Sequence, residues 1–213
     1  MRERVRARLA LMRSRGSPLF LVGEVSPCRP GIRMLLAMEA PRLLIEDLVL
    51  EPPTIDDAPA WAAAQDDECA IWFDWPSRPT TEQCLSYLRR ITLDAEPDSY
   101  VWAIRVLDGF AGGIDLKFDE GRWNVSYFVA PARRGRGIAR RALCAVVEWA
   151  ERELCIAEIS TRVHVDNIAS QRVLEAAGFT RIRTQRSPGA DHDDHICART
   201  FPPALRSSHR AMT

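Results

Sequence analysis

The chain has 213 residues, 29 basic against 29 acidic side chains and 46% hydrophobic residues, enough for one good core and short for two. Zero formal net charge gives no global attraction to nucleic acid or to a membrane surface, and no apolar run approaches the roughly 18 residues of a spanning helix. Cysteines at 28, 69, 84, 144, 155 and 197 form no C-x-x-C pair, which suits reduced thiols in a cytoplasmic protein better than a disulfide framework.

Residues 1–40 differ from the rest. They carry eight Arg, with Gly16, Pro18, Pro27, Pro30 and Gly31 as breakers. The expectation is a poorly ordered basic leader, or a misplaced start with translation beginning at Met34 or Met38; a transit peptide and a nucleic-acid arm are the alternatives. The folded domain is expected over 41–203, with a flexible tail over 204–213. Leu43 to Glu51 alternates from Ile45 and reads as a first strand, stopped by Pro52-Pro53. Thr54-x-x-Asp57 has the form of a capping box and opens a helix carrying Trp61; Thr80-x-x-Gln83 opens a second, with Leu85, Leu88 and Ile91 on one side. Between them lies an acidic and aromatic stretch, Asp66 to Pro76. Tyr100 to Leu107 is a strand, Asp108-Gly109 a hairpin turn, and Phe110 to Phe118 its partner. Glu120-Gly121 turns the chain into the strand Val125 to Val129. A helix from Gly137 has Ala139, Leu143, Val146, Ala150 and Leu154 at helical spacing. Glu158 to Val165 alternates as a strand, parallel to Val125–Val129 through a right-handed crossover. Asn167 caps the next helix and Gly178 closes it. Thr180 to Gln185 and Ile196 to Phe201 are the last strands. The order β-α-α-β-β-β-α-β-α-β-β makes a single α/β domain with a mixed sheet.

The chemistry concentrates after Val129. Pro131 ends the strand, and Gly135-x-Gly137 leads straight into a helix. Such a turn presents unpaired backbone N–H groups at the positive end of the helix dipole, an anion site whose commonest guest is phosphate. A Rossmann site is disfavoured, because Arg140 stands where the third small residue should allow close packing, and no acid ends the next strand about 20 residues on. A P-loop lacks its Gly-Lys-Ser/Thr.

The frame Arg134-x-x-Gly137-x-Ala139 resembles the loop with which the GNAT superfamily of acyl-CoA N-acyltransferases holds the pyrophosphate of coenzyme A. Val163-x-x-x-Asn167-x-x-Ser170 with Glu175-x-x-Gly178-Phe179 is similar to the second signature of that superfamily. Leu48 to Pro52 with Asp56, Asp57, Ala58 and Trp61 is similar to the opening of its RimJ/RimL branch. The resemblance covers about Ile45 to Phe201. It implies a mixed, mostly antiparallel sheet with a parallel β-α-β core and helices on both faces, and acetyl-CoA as co-substrate without a metal. It also implies that the strands Val125–Val129 and Ser160–Val165 part to admit the pantetheine arm, which pairs with main chain around Phe128 and Val129. The diphosphate would meet Gly135, Gly137, Ile138 and Ala139, with Arg134 and Arg136 nearby. Asn167 would bond the pantetheine arm, and Ser170 would lie near the thioester sulfur.

Acyl transfer to an amine needs a proton acceptor, because a lysine-like amine has a pKa near ~10.4 and an α-amine near about 8. Many relatives carry a Glu three places before the aromatic of the parted strand; here Asn124 precedes Tyr127. Asp115 on the facing strand, or a water chain, takes that role. The departing thiolate benefits from a donor; Ser170 is the first candidate and Tyr127 the second. Trp72, Asp74 and Trp75 suit a cationic amine through aromatic faces and carboxylate. Asp191 to His195 reads as a polar loop rather than a metal site, and Asn124-Val-Ser126 as a chance glycosylation match. The resemblance leaves room for a homodimer. Three functions follow: an N-acetyltransferase acting on protein N-terminal or small-molecule amines; an acyl-CoA sensor without turnover, motivated by Asn124; and a nucleic-acid binder using the leader, against which zero net charge argues.

Overall fold

The computed structural model describes residues 40–93, 99–154 and 156–202. The expected tail and all of the expected leader except Ala40 lie outside the described residues. The described strands are β1 (Leu43–Ile45), β2 (Leu48–Glu51), β3 (Ser99–Val106), β4 (Gly109–Asp119), β5 (Arg122–Val129), β6 (Glu158–His164), β7 (Thr180–Arg186) and β8 (Asp193–Thr200). They form one sheet in the order β1-β2-β3-β4-β5-β6-β8-β7. Every neighbouring pair is antiparallel except β5 and β6, as the resemblance implied. The helices are α1 (Ala58–Ala63), α2 (Asp67–Trp72), α3 (Thr81–Leu93), α4 (Ile138–Glu153) and α5 (Ile168–Ala176).

Three elements differ from the sequence reading. The single strand expected over Leu43–Glu51 is a hairpin, because Glu46-Asp47 makes a two-residue turn with Glu46 at φ 52° and pairs Ile45 with Leu48. Arg141 on α4 bonds both turn carboxylates. The acidic stretch after residue 66 contains α2, whose N-cap Asp66 accepts from the Cys69 N–H at 2.9 Å and whose first turn holds Asp67 and Glu68 at the positive end of the dipole. Strand β8 starts at Asp193, so Asp193 to His195 belong to the sheet and not to a polar loop.

The capping signals held. Thr80 and Gln83 exchange bonds of 2.8 and 3.2 Å ahead of α3, and the Thr54 N–H donates to the Asp57 carboxylate at 2.8 Å. Helices cover both faces. Ala142, Leu143, Val146, Val147 and Ala150 of α4 are fully buried against Leu48, Trp102, Leu116 and Ile159 of the sheet. Each such Leu or Val side chain contributes about 1.5–3 kcal/mol on burial. The opposite face is covered by α1–α3, whose Trp61, Cys69, Cys84 and Leu88 pack in one cluster with Phe128 of the sheet. Trp61 packs edge-on against Phe128 at 5.2 Å. Cysteines 69, 84, 144 and 197 are free thiols.

Candidate functional site

The parallel ladder between β5 and β6 is short. It holds only Trp123↔Ile159 and Asn124↔Ser160, although β5 continues to Val129 and β6 to His164. Side chains pin its last rungs: Ser160 Oγ donates to Asn124 Oδ1 at 2.8 Å, and Thr161 Oγ1 donates to the Val125 carbonyl at 2.8 Å. Beyond this point the strands part, and a cavity of about 430 Å³ opens between them. Its walls are β5 from Ser126 to Val129, β6 from Thr161 to His164, the first turns of α5, the loop before α4, and Cys69, Trp72 and Phe73 of the α2 region.

The loop and α4 form one end. Gly137 is the N-cap of α4 at φ 72°, Gly135 lies at φ 76°, and a Cβ on either would meet nothing within 4 Å. Left-handed backbone explains both glycines, since an L side chain there costs roughly 1–2 kcal/mol. The first helical bond runs from the Arg141 N–H to the Gly137 carbonyl at 3.1 Å. The N–H groups of Ile138, Ala139 and Arg140 therefore precede the helical ladder, and glycine has no side chain with which to cap them. The first turn contains no acid. Open space, exposed amides and the helix dipole together make a site for an anion.

The ladder geometry decides which main-chain groups of β5 face the gap. In an antiparallel pair both groups of one residue point the same way, alternating along the strand. The Ala130 N–H donates to Ala111 on β4 at 2.8 Å, while the Val125 carbonyl is bonded from β6. Even-numbered residues thus face β4 and odd-numbered ones face the gap. Phe128 main chain is consequently paired with Gly113, not exposed as expected; Tyr127 and Val129 present theirs to the cavity. The Phe128 ring packs into the α1–α3 layer.

Arg134 also departs from expectation. Its Nε donates to the Val129 carbonyl at 3.1 Å, and its terminal nitrogens reach Asp66 at 2.9 and 2.8 Å, Glu68, and Cys69 Sγ at 3.4 Å. Burial works to raise the Asp66 carboxyl, but Arg134 and the Cys69 N–H outweigh it and hold the group below the usual carboxylate range. Arg136 is exposed and is not part of the cavity wall, whereas Arg140 is.

Asn167 is 8% exposed, caps α5 by accepting from the Ser170 N–H at 3.0 Å, and lines the cavity with Ser170. Tyr127 lines it too and donates to the Ser170 carbonyl at 3.4 Å. Burial pushes its phenol up to about 12. Asp115 stands behind the wall and accepts from Ser126 Oγ, a cavity residue, at 2.9 Å. Lys117 lies 3.6 Å from its other oxygen. Of the three expected acceptor residues only Trp72 lines the cavity, with its ring 5.1 Å from that of His164. Asp74 is instead tied to Arg162, Ser187 and His192 at 3.5, 3.4 and 3.3 Å, and Trp75 stacks on Phe73. Sequence reasoning missed Ser126 and His164 as wall residues. The strand alternation from Val125 could have flagged Ser126, since it shares the face of Phe128. Burial pushes the Cys69 thiol up to about 11, away from the thiolate form.

A model of the acetyltransferase (GNAT) domain matches residues 47–180. The probable N-acetyltransferase YjcK of Bacillus subtilis is 32% identical over 85 residues, which span 40% of this chain and 44% of that relative. The chain thus matches less than half of that protein's length. A GNAT-family acetyltransferase structure from Bacillus anthracis superposes with a TM-score of 0.66 at 16% identity, covering 75% of this chain and 98% of the other. RimL, described as a ribosomal alpha-N-protein acetyltransferase in complex with coenzyme A, gives 0.64 at 21% identity over 74% and 96% of the two chains.

Proposed function

The chain belongs to the GNAT acetyltransferase family, and from that premise we propose that it moves an acetyl group from acetyl-CoA to a primary amine, with both substrates bound at once. The observation that carries this reading is the parting of β5 from β6 beside the glycine N-cap of α4. The N–H groups of Ile138, Ala139 and Arg140 hold the diphosphate, and the space above Gly135 and Gly137 accommodates it. The Tyr127 main chain and the Val129 N–H, with Asn167, bond the pantetheine arm.

A main-chain N–H on the parted strand also suits the developing oxyanion. The proton of the attacking amine leaves through Ser126, whose hydroxyl already donates to Asp115. Ser126 can pass its own proton to the carboxylate while accepting one from the amine. Ser170, which lines the cavity at the start of α5, serves the departing sulfur. An amine near pKa ~8, a protein N-terminal or other weakly basic amine, needs less help from a base than a lysine near about 10.4 and is the favoured acceptor. RimL is described as an acetyltransferase of that N-terminal kind.

The test is release of free thiol from acetyl-CoA across a panel of N-terminal peptides, lysine peptides and small amines. Turnover with at least one α-amine is expected, and none with Gly137→Asp, which puts a carboxylate and a strained φ at the anion site. One feature favours a second reading, an acyl-CoA sensor. Asn124 is fully engaged, accepting from Ser160 Oγ and donating to the Arg122 carbonyl at 3.2 Å, and supplies no base. Binding of acetyl-CoA without thiol release from any amine would select it.

A further inference from the structure

Arg134 opens the Arg-x-x-Gly-x-Ala frame, yet it has nothing left to offer a phosphate. A guanidinium carries five N–H donors, and here five acceptors meet it: the Val129 carbonyl, both Asp66 oxygens, Glu68 and Cys69 Sγ. Asp66 is also the N-cap of α2. One unbroken series of bonds therefore joins the end of β5, through Arg134, to the start of α2. At its other end α2 runs into Asp74, which has φ 56° and is bonded to Arg162 on β6 and to Ser187 and His192 after β7. Helix α2 is thus anchored to both flanks of the parted strands, and it turns Cys69 and Trp72 onto the cavity.

We propose that Arg134 is a positioning residue: it fixes α2 as the wall opposite the parted strands and leaves the phosphates to the amides of α4. The inference rests on the reading that the 135–140 loop receives the CoA diphosphate. The two possible roles of Arg134 predict opposite signs for its partner. As a phosphate ligand, Arg134 would be released by Asp66→Asn and would bind CoA more tightly. As a strut, it loses its function equally whichever partner is removed.

The experiment measures CoA affinity by calorimetry at several salt concentrations, amide hydrogen exchange of α2, and kcat and KM with acetyl-CoA and the best peptide of the amine panel. Wild type, Arg134→Gln, Asp66→Asn, the double variant and the exchanged pair Asp66→Arg/Arg134→Asp are compared. For both single variants we expect CoA affinity within about threefold of wild type, with an unchanged salt slope. We expect α2 amides to exchange faster, and kcat to fall about tenfold or more with KM for acetyl-CoA little moved. The double variant should be no worse than either single one, and the exchanged pair should regain part of kcat. Arg134→Gln weakening CoA by about tenfold with a shallower salt slope, while Asp66→Asn tightens it, overturns the inference alone. Failure of the wild-type protein to bind CoA, or binding untouched by Gly137→Asp, overturns the reading of the loop as well.

Discussion

At residue scale, Gly113 and Asp66 show how tightly the site's supports are specified. A Cβ on Gly113 would lie 2.7 Å from the Phe128 ring and 2.8 Å from Trp61. Both rings are buried in the cluster that α1–α3 form with the sheet. Gly113→Val is therefore expected to destabilise by about 1–3 kcal/mol through overpacking, read as a lower urea midpoint with an unchanged m-value; an unaltered midpoint would contradict the packing described. Asp66 makes a pH prediction. Its folded carboxyl titrates below the usual range, so between the folded and unfolded values the unfolded chain binds more protons. The Arg134–Asp66 pair thus contributes stability above about pH 4, and that contribution is lost as pH falls through the lowered folded value. The stability deficit of Asp66→Asn should be visible near neutrality and shrink below about pH 4. A deficit constant across that range would remove the ion pair as its cause.

At the scale of elements, local chemistry made most of the chain legible. Strand alternation, the Thr80 and Gln83 box and the Asn167 cap are short-range signals, and each sits where the sequence put it. What stayed hidden depends on partners distant in sequence. Nothing within Leu43–Glu51 says that Arg141, some 95 residues away, fastens a turn at Glu46-Asp47. Nothing within Asp66–Trp75 says that Arg134 waits to neutralise its acids, so a solvated stretch and a docked helix read alike. The phase of β5 was hidden for another reason. Periodicity assigns side chains to faces, whereas the direction of main-chain groups is set by which neighbour each residue bonds. That phase is testable. Saturating CoA should slow exchange of the Tyr127 and Val129 amides, which face the gap, and leave Phe128, already laddered to Gly113, nearly unchanged. Protection of Phe128 in place of its neighbours would put the register one residue out.

For the whole molecule, the parted strands divide the sheet into a five-stranded part, β1 to β5, and a three-stranded part, β6 with β8 and β7. Main chain joins them at only two rungs; α4 packed beneath both, the Ser160 and Thr161 side-chain bonds across the seam, and the anchoring of α2 to both sides complete the connection. The Tyr127 main chain and the Val129 N–H face a cavity that water can enter, so leaving them outside the ladder avoids the roughly 1–3 kcal/mol that a dry, orphaned group would cost; the Val129 carbonyl is taken by Arg134. A ligand that bonds β5, the α4 amides and α5 together requires the folded arrangement of all three and has no counterpart in the unfolded chain. Its effect on stability then follows from mass action: about 2.7 kcal/mol at a concentration 100 times its dissociation constant. For a domain of this size each kcal/mol moves Tm by about 2–4 °C, so saturating CoA should raise Tm by roughly 5–11 °C. The shift should persist in Ser126→Ala, which disturbs the proton path but not the cradle, and vanish in Gly137→Asp. A wild-type Tm indifferent to CoA would mean that the gap between β5 and β6 is not where the nucleotide is held.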